Sequence, residues 1–129
     1  MKMILQEKFV AIETQVIEQG LTEHARAAGI EPRNYRPLVI FLYDERETVV
    51  GGLVAETVWG WLRVKEFWVA EHYRGQGWGA KLLALAESHA IERGCQHAFL
   101  DTFDFQALSF YQKQGYEIFG SLADFPLSS

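Results

Sequence analysis

Tyr73-Arg74-Gly75-Gln76-Gly77-Trp78-Gly79 follows an apolar, strand-like run and opens the clearest helical stretch of the chain. Glycines let a backbone approach a ligand closely. The unbonded N–H groups of a first helical turn face outward, and the helix dipole favours negative charge there. Arg74 adds a guanidinium fork suited to phosphate. The segment reads as a pyrophosphate site, with a ligand-free glycine turn as the plain alternative. The helix it opens runs from Gly77 to Arg93. Gly79, Leu82, Leu83, Ala86 and Ala90 form its apolar stripe, Lys81, Ser88 and Glu92 lie opposite, and Arg93-Gly94 suits its end.

Upstream lie three strand candidates, Leu38 to Tyr43, Thr48 to Val58 and Leu62 to Val69. The charged turn Asp44 to Glu47 and the tight reversal Trp59-Gly60-Trp61 separate them, so neighbours are expected to run antiparallel. The third strand changes phase. Leu62 and Val64 are apolar at even positions, Phe67 and Val69 at odd ones. A strand alternates with a period of two, so one extra residue at Lys65-Glu66, a β-bulge, would restore the pattern. A strand buried on both faces would also explain it. The N-terminal stretch from Ile12 to Ala28 reads as helix interrupted at Gly20, with Thr22 capping a second short helix, and Gly29 and Pro32 closing the region. Downstream, Gln96 to Phe103 reads as a strand, Asp104 can cap a helix reaching Gln114 with Gly115 as its stop, and Tyr116 to Phe119 reads as a last short strand. The order predicts an α+β (mixed α/β) fold, a mostly antiparallel central sheet flanked by helices, in a single domain spanning residues 1–129.

Bulk properties narrow the function. Hydrophobic residues make up 49% and charged residues 22% of the 129, enough for a packed core. The net charge of -5 offers no basic excess for nucleic acid or an anionic membrane. Cys95 is the one cysteine, so no intrachain disulfide can form, which suits a reducing compartment. Met1 to Gln15 lacks a long apolar core and a small-residue cleavage pattern, so a cytoplasmic location is expected. His24, His72, His89 and His97 show no metal spacing, so no metal is expected. A Rossmann nucleotide site is the rival, with Asp101 where a ribose-binding acid would fall. The glycine spacing is G-x-G-x-G rather than G-x-G-x-x-G, antiparallel strands precede it, and too little chain follows for a doubly wound fold.

Arg74-x-x-Gly77-x-Gly79 resembles the R/Q-x-x-G-x-G/A signature of the GNAT acetyltransferases. Ala107-Leu108-Ser109-Phe110-Tyr111-Gln112-Lys113-Gln114-Gly115-Tyr116 is similar to the family's second motif, A-x-x-F-Y-x-x-x-G-F/Y. The interval between them suits one helix and one strand, and the resemblance covers roughly Leu38 to Phe119. It implies the acyl-CoA N-acyltransferase fold, acetyl-CoA as co-substrate, and direct attack by an amine without an enzyme nucleophile. The backbone of Phe67, Trp68 and Val69 would pair with the pantetheine arm. Arg74, Gly75, Gln76, Gly77, Trp78 and Gly79 would hold the pyrophosphate. Asp104 stands where the family often has an Asn touching the cofactor, and Tyr111 matches the tyrosine near the cofactor's sulfur.

A phenol with a pKa of about 10 transfers its proton to a thiolate of about 8.5 uphill by roughly 2 kcal/mol, so a hydrogen bond from Tyr111 to the developing thiolate is the favoured role. A core tyrosine is the alternative. Glu66, at the expected bulge, is the candidate base, acting through water on the amine. A surface or salt-bridged glutamate beside Arg63 or Lys65 is the alternative. Trp59, Trp61 and Asp101 are candidate acceptor-binding residues, with cross-strand packing as the other reading of the tryptophans. Cys95 reads as a small buried hydrophobe. The resemblance implies a small-molecule or peptide amine as acceptor. The resembling fold has a further strand after the Tyr116 strand that this sequence does not supply, so an open sheet edge and a homodimer covering it are expected. The competing function is a non-catalytic CoA-binding or interaction module.

Overall fold

The computed structural model describes residues 1–31, 34–103 and 106–127. Helix α1 (Ala11–Ala27) leads to a meander of β1 (Arg36–Tyr43), β2 (Val49–Val58) and β3 (Trp61–Val69). A single 3-10 turn (Glu71–Tyr73) then precedes α2 (Trp78–Glu92), β4 (His97–Leu100) and α3 (Leu108–Lys113). The sheet order is β1-β2-β3-β4. The two hairpin pairs are antiparallel and β3 pairs β4 in parallel, with α2 as the crossover. This is the expected mixed sheet flanked by helices. The β2–β3 reversal is a two-residue turn with Trp59 at φ 48° and Gly60 at φ 80°. Two residues with positive φ match the twist of antiparallel strands.

Alternation sorts the sheet into two faces. Leu38, Leu53, Ala55, Leu62 and Val64 form the inner face and meet Leu83, Ala86 and Ala90 of α2, with Cys95 and Tyr111 completing the core. The alanines let the helix axis come close to the strands. Each helix ends the same way. Ile30 N–H donates to Ala25 O, Cys95 N–H to Ala90 O and Tyr116 N–H to Tyr111 O, across Gly29, Gly94 and Gly115 in left-handed conformation. That satisfies carbonyls the helix itself cannot reach.

Three sequence expectations change. The N-terminal region is one continuous helix, and Thr22 Oγ1 donates back to Glu18 O at 3.0 Å instead of capping a second one. One interior glycine costs only about 1 kcal/mol against alanine, too little to split a 17-residue helix. The strand after α2 is four residues long, and α3 starts at Leu108. Asp104, the expected cap, lies outside the described residues. Tyr116 to Phe119 is not a strand, and β4 is the sheet's outer edge on that side among the described residues. Tyr116 instead turns inward, its ring 6.0 Å from that of Tyr111 and its hydroxyl donating to Glu87 Oε2 at 3.1 Å.

Candidate active site

The register of β2 against β3 passes from Ala55↔Val64 to Val54↔Glu66. Lys65 is therefore the extra residue, and the bulge stands at the position the apolar phase indicated. Beyond it Phe67 faces the core opposite Leu53, while Glu66 shares the outer face with Val54. The bulge also marks where the sheet opens. Parallel pairing of β3 with β4 covers only Trp61↔His97 through Val64↔Leu100. From Glu66 to Val69 the β3 edge toward β4 has no strand beside it among the described residues, which leaves main-chain donors and acceptors for an extended ligand.

At the end of that open edge stands the glycine loop. Gly75 and Gly77 have φ of 72° and 87°, and Gly77 is the N-cap of α2 without a side-chain cap. The first intrahelical bond is Lys81 N–H to Gly77 O, so the N–H groups of Trp78, Gly79 and Ala80 have no helical carbonyl. A Cβ on Gly79 would stand 3.4 Å from the Phe110 ring, at the near limit of ordinary contact. Arg74 Nε donates to Val69 O at 2.7 Å, which fixes the guanidinium between the strand end and the helix N-terminus. Gln76 Nε2 donates to His72 O, and Lys81 Nζ lies over the Trp78 ring at 4.6 Å. An extended edge followed by an anion-binding turn fits a long ligand with a pyrophosphate at one end.

Tyr111 lies on the inner side of the opening, its ring 6.1 Å from Phe67 and 5.3 Å from Phe110. Burial raises its pKa above the ordinary phenol value. The group is thus a neutral O–H donor at physiological pH. Glu66 lies across β3 on the outer face. There Arg63, Lys65 and Glu66 of β3, with Phe99, Leu100 and Asp101 at the β4 end, bound a cleft of ≈ 260 Å³. The structure thus brings Glu66 and Asp101 together. It does not bring Trp59 or Trp61 to them. Trp59 Nε1 donates to Glu31 O in the hairpin, and Trp61 stacks on His97 at 4.5 Å, the cross-strand packing reading.

Arg63 and Lys65 do not pair with Glu66. Arg63 Nη1 lies 3.5 Å from Glu56 Oε1 and Lys65 Nζ 3.6 Å from Glu56 Oε2. Glu56 is 7% exposed, and the sequence reading passed it over. A lone acid inside the apolar run of β2 was the available signal, since buried carboxylates are nearly always paired. A larger cavity, ≈ 330 Å³, lies at the hairpin end between Trp59, Thr57, Arg93 and Cys95. Arg93 there donates to Arg36 O and Thr57 Oγ1. The Cys95 thiol is buried, and desolvation raises its pKa against the opposing pull of Arg93, which makes it unreactive. Among the described residues no helix is long and apolar enough to cross a membrane.

Residues 6–116 match the family model for the acetyltransferase (GNAT) family. Blasticidin-S acetyltransferase of Streptomyces morookaense is 39% identical over 102 residues, 78% of this chain and 75% of that protein. A crystal structure assigned as an acetyltransferase from Agrobacterium tumefaciens superposes with a TM-score of 0.85 at 38% identity, covering 99% of this chain and 91% of the other. A structure from Bacillus anthracis str. Ames, assigned as a streptothricin acetyltransferase and solved in complex with acetyl coenzyme A, matches with a TM-score of 0.60 at 25% identity, covering 65% and 49%.

Proposed function

The chain belongs to the GNAT acetyltransferase family, and from that premise we propose that it moves an acetyl group from acetyl-CoA to a primary amine of a small molecule in the cytoplasm, as one domain. The observation that carries this is the opening of β3 from β4 at the Lys65 bulge, beside the glycine loop. Acetyl-CoA, when bound, supplies an activated thioester. The edge of Phe67 to Val69 holds its arm and Arg74 to Gly79 its pyrophosphate. Tyr111 and Glu66 lie on opposite sides of β3, so the amine enters from the Glu66 side while Tyr111 reaches the sulfur from the core side. One N–C bond forms and one C–S bond breaks. The amine gives up a proton, toward Glu66 through water, and the sulfur leaves with its electron pair, stabilised by the Tyr111 hydroxyl. An amine of pKa near 10 is only about one part in a thousand free base at neutral pH, so the base has work to do. The family relative named for blasticidin-S supports a small-molecule acceptor, as does the size of the cleft.

Turnover of acetyl-CoA against a broad amine panel tests the activity. Gly77→Asp tests the site, because it adds a side chain at φ 87° and a negative charge where phosphate is to bind. Wild-type acetyl-CoA affinity in that variant would remove the assignment.

We also infer a twofold homodimer. A compact monomer of 14.8 kDa exposes about 7,000 Å², whereas this chain exposes 10742 Å². Helix α1 buries no residue; Ile12 and Val16 on one of its sides, Phe9 just before it, and Phe119 and Leu122 near the other end of the chain are exposed. A second copy is the occupant that fits, since symmetric pairs are the commonest assemblies of soluble chains.

A further inference from the structure

We propose that the acceptor is an amine that also carries an anionic group, a carboxylate in the simplest case, read by Arg63 and Lys65 while its ammonium end meets Glu66 and Asp101. The proposal rests on the acetyl-transfer reading for the chemistry, but its recognition step stands on the charge arrangement of the cleft. Four charged side chains bound that cleft, two of each sign. They are not paired with one another. Both cations lie on Glu56, one on each carboxylate oxygen, and Glu56 is buried and outside the cleft lining. Lys65 is next to Glu66 in sequence and at the same bulge, yet its ammonium turns away from it.

Glu56 therefore sorts the charges. It holds both cations on one side and leaves the carboxylates of Glu66 and Asp101 without an ion-pair or hydrogen-bond partner among the described residues. On one side a single carboxylate faces two positive charges, and on the other Glu66 and Asp101 carry two unpaired negative ones, so the cleft is polarised although its sum is one negative charge. The cation side chains are 48% and 41% exposed, so both face the cleft with donors to spare. Phe99 lies 6.0 Å under the Arg63 guanidinium and limits its movement. An amine with no second charge satisfies only the carboxylate side. An anionic group on the acceptor meets the positive end of that polarity. Arg63 and Glu66 are three residues apart along a strand, so the two charges of the acceptor are separated by about 7–10 Å at a rise of ~3.3 Å per residue. A linear ω-amino acid spans that distance.

Three matched probes test this, 6-aminohexanoate, its primary amide and hexylamine. Each is measured as an acceptor in the acetyl-transfer assay and as a ligand of the CoA-loaded protein by calorimetry. The acid is expected to bind about tenfold more tightly than the amide, the scale of one charge-assisted hydrogen bond, with the difference in KM rather than kcat. Arg63→Met and Lys65→Met, which keep the apolar stem and drop the charge, are expected to erase the preference for the acid. Equal binding of acid and amide overturns the proposal, as does a preference that survives both substitutions. No turnover of any probe, with the acid still bound preferentially, overturns the transfer reading and leaves this recognition standing. Neither turnover nor binding of any probe overturns both.

Discussion

Tyr111 has the environment of a donor rather than of an acid that gives its proton away. Burial raises its pKa, so transfer to sulfur is more uphill than for a free phenol, while a hydrogen bond to growing negative charge is worth more where water is excluded. Tyr111→Phe keeps the ring contacts with Phe67 and Phe110. It is expected to lower kcat by about 10²–10³, with acetyl-CoA affinity little changed, measured by single-turnover kinetics and calorimetry. An unchanged chemical step would make it a packing residue. Tyr116 titrates high as well, through burial first and then the neighbouring Glu87 carboxylate, which both repels the phenolate and accepts its proton's hydrogen bond. Both phenols resist ionisation more in the fold than in the unfolded chain. Their contribution to stability is complete below the unfolded value of about 10 and is lost as pH rises beyond it. Melting temperatures are expected to fall between pH 9 and 11, less steeply in Tyr116→Phe. An equal slope in that variant would assign the alkaline loss elsewhere. Tyr111 could be singled out because its motif is contiguous. Glu56 was not, because its meaning comes from Arg63 and Lys65 on the next strand, and the register that joins them is invisible along one strand alone.

Among elements, the bulge in β3 has the most consequence. Removing Lys65 leaves Val64 opposite Ala55 and Glu66 opposite Val54, an unbroken ladder with every apolar residue on its present face. The deletion is expected to fold with near wild-type melting temperature. β4 can then continue along β3, and acetyl-CoA affinity is expected to fall at least about tenfold, a loss of ~1.4 kcal/mol in binding. Retained affinity would show that the cleft does not depend on the bulge. The bulge could be read because a slip of phase in an alternating strand is local information. The continuous α1 could not, because a glycine's small helix penalty is decided by the residues around it. Tyr116 to Phe119 misled for a related reason. Strand composition says that a segment can pair, not that a neighbour offers it a ladder, and here the tyrosine finds Tyr111 and Glu87 instead.

At the level of the whole molecule, the exposed apolar side of α1 is the feature least like a finished surface. Soluble monomers seldom leave apolar patches of more than a few hundred Å² uncovered. Sedimentation at micromolar concentration is expected to give twice 14.8 kDa. Ile12→Glu with Val16→Glu is expected to give the single mass with the cleft intact, because neither residue is buried in the chain. A monomeric wild type would remove the dimer and leave the acetyltransferase assignment as it stands. Fold class was readable here, since the segments that carry it are contiguous from Leu38 onward. The uncovered face was not, because the helical pattern of α1 looks the same whether its partner is its own sheet or another chain.

The order in which the sheet is threaded sets an order of assembly. β1, β2 and β3 are joined by short reversals and can zip together from local contacts. The parallel β4 must wait for α2 to dock, and its closure entropy is paid late. The cleft is complete only after that step, so a donor held there would bind only chains that have completed it and would draw the population toward them. Amide exchange should show the same hierarchy. Without acetyl-CoA, β4 and α3 are expected to open at lower free energy than β2, and on its addition the gap should narrow. Uniform exchange across the sheet would mean that it rises and falls as one unit. If the gap narrows, the donor also acts as a late folding aid, and cells short of acetyl-CoA would carry more chains halted one strand from completion.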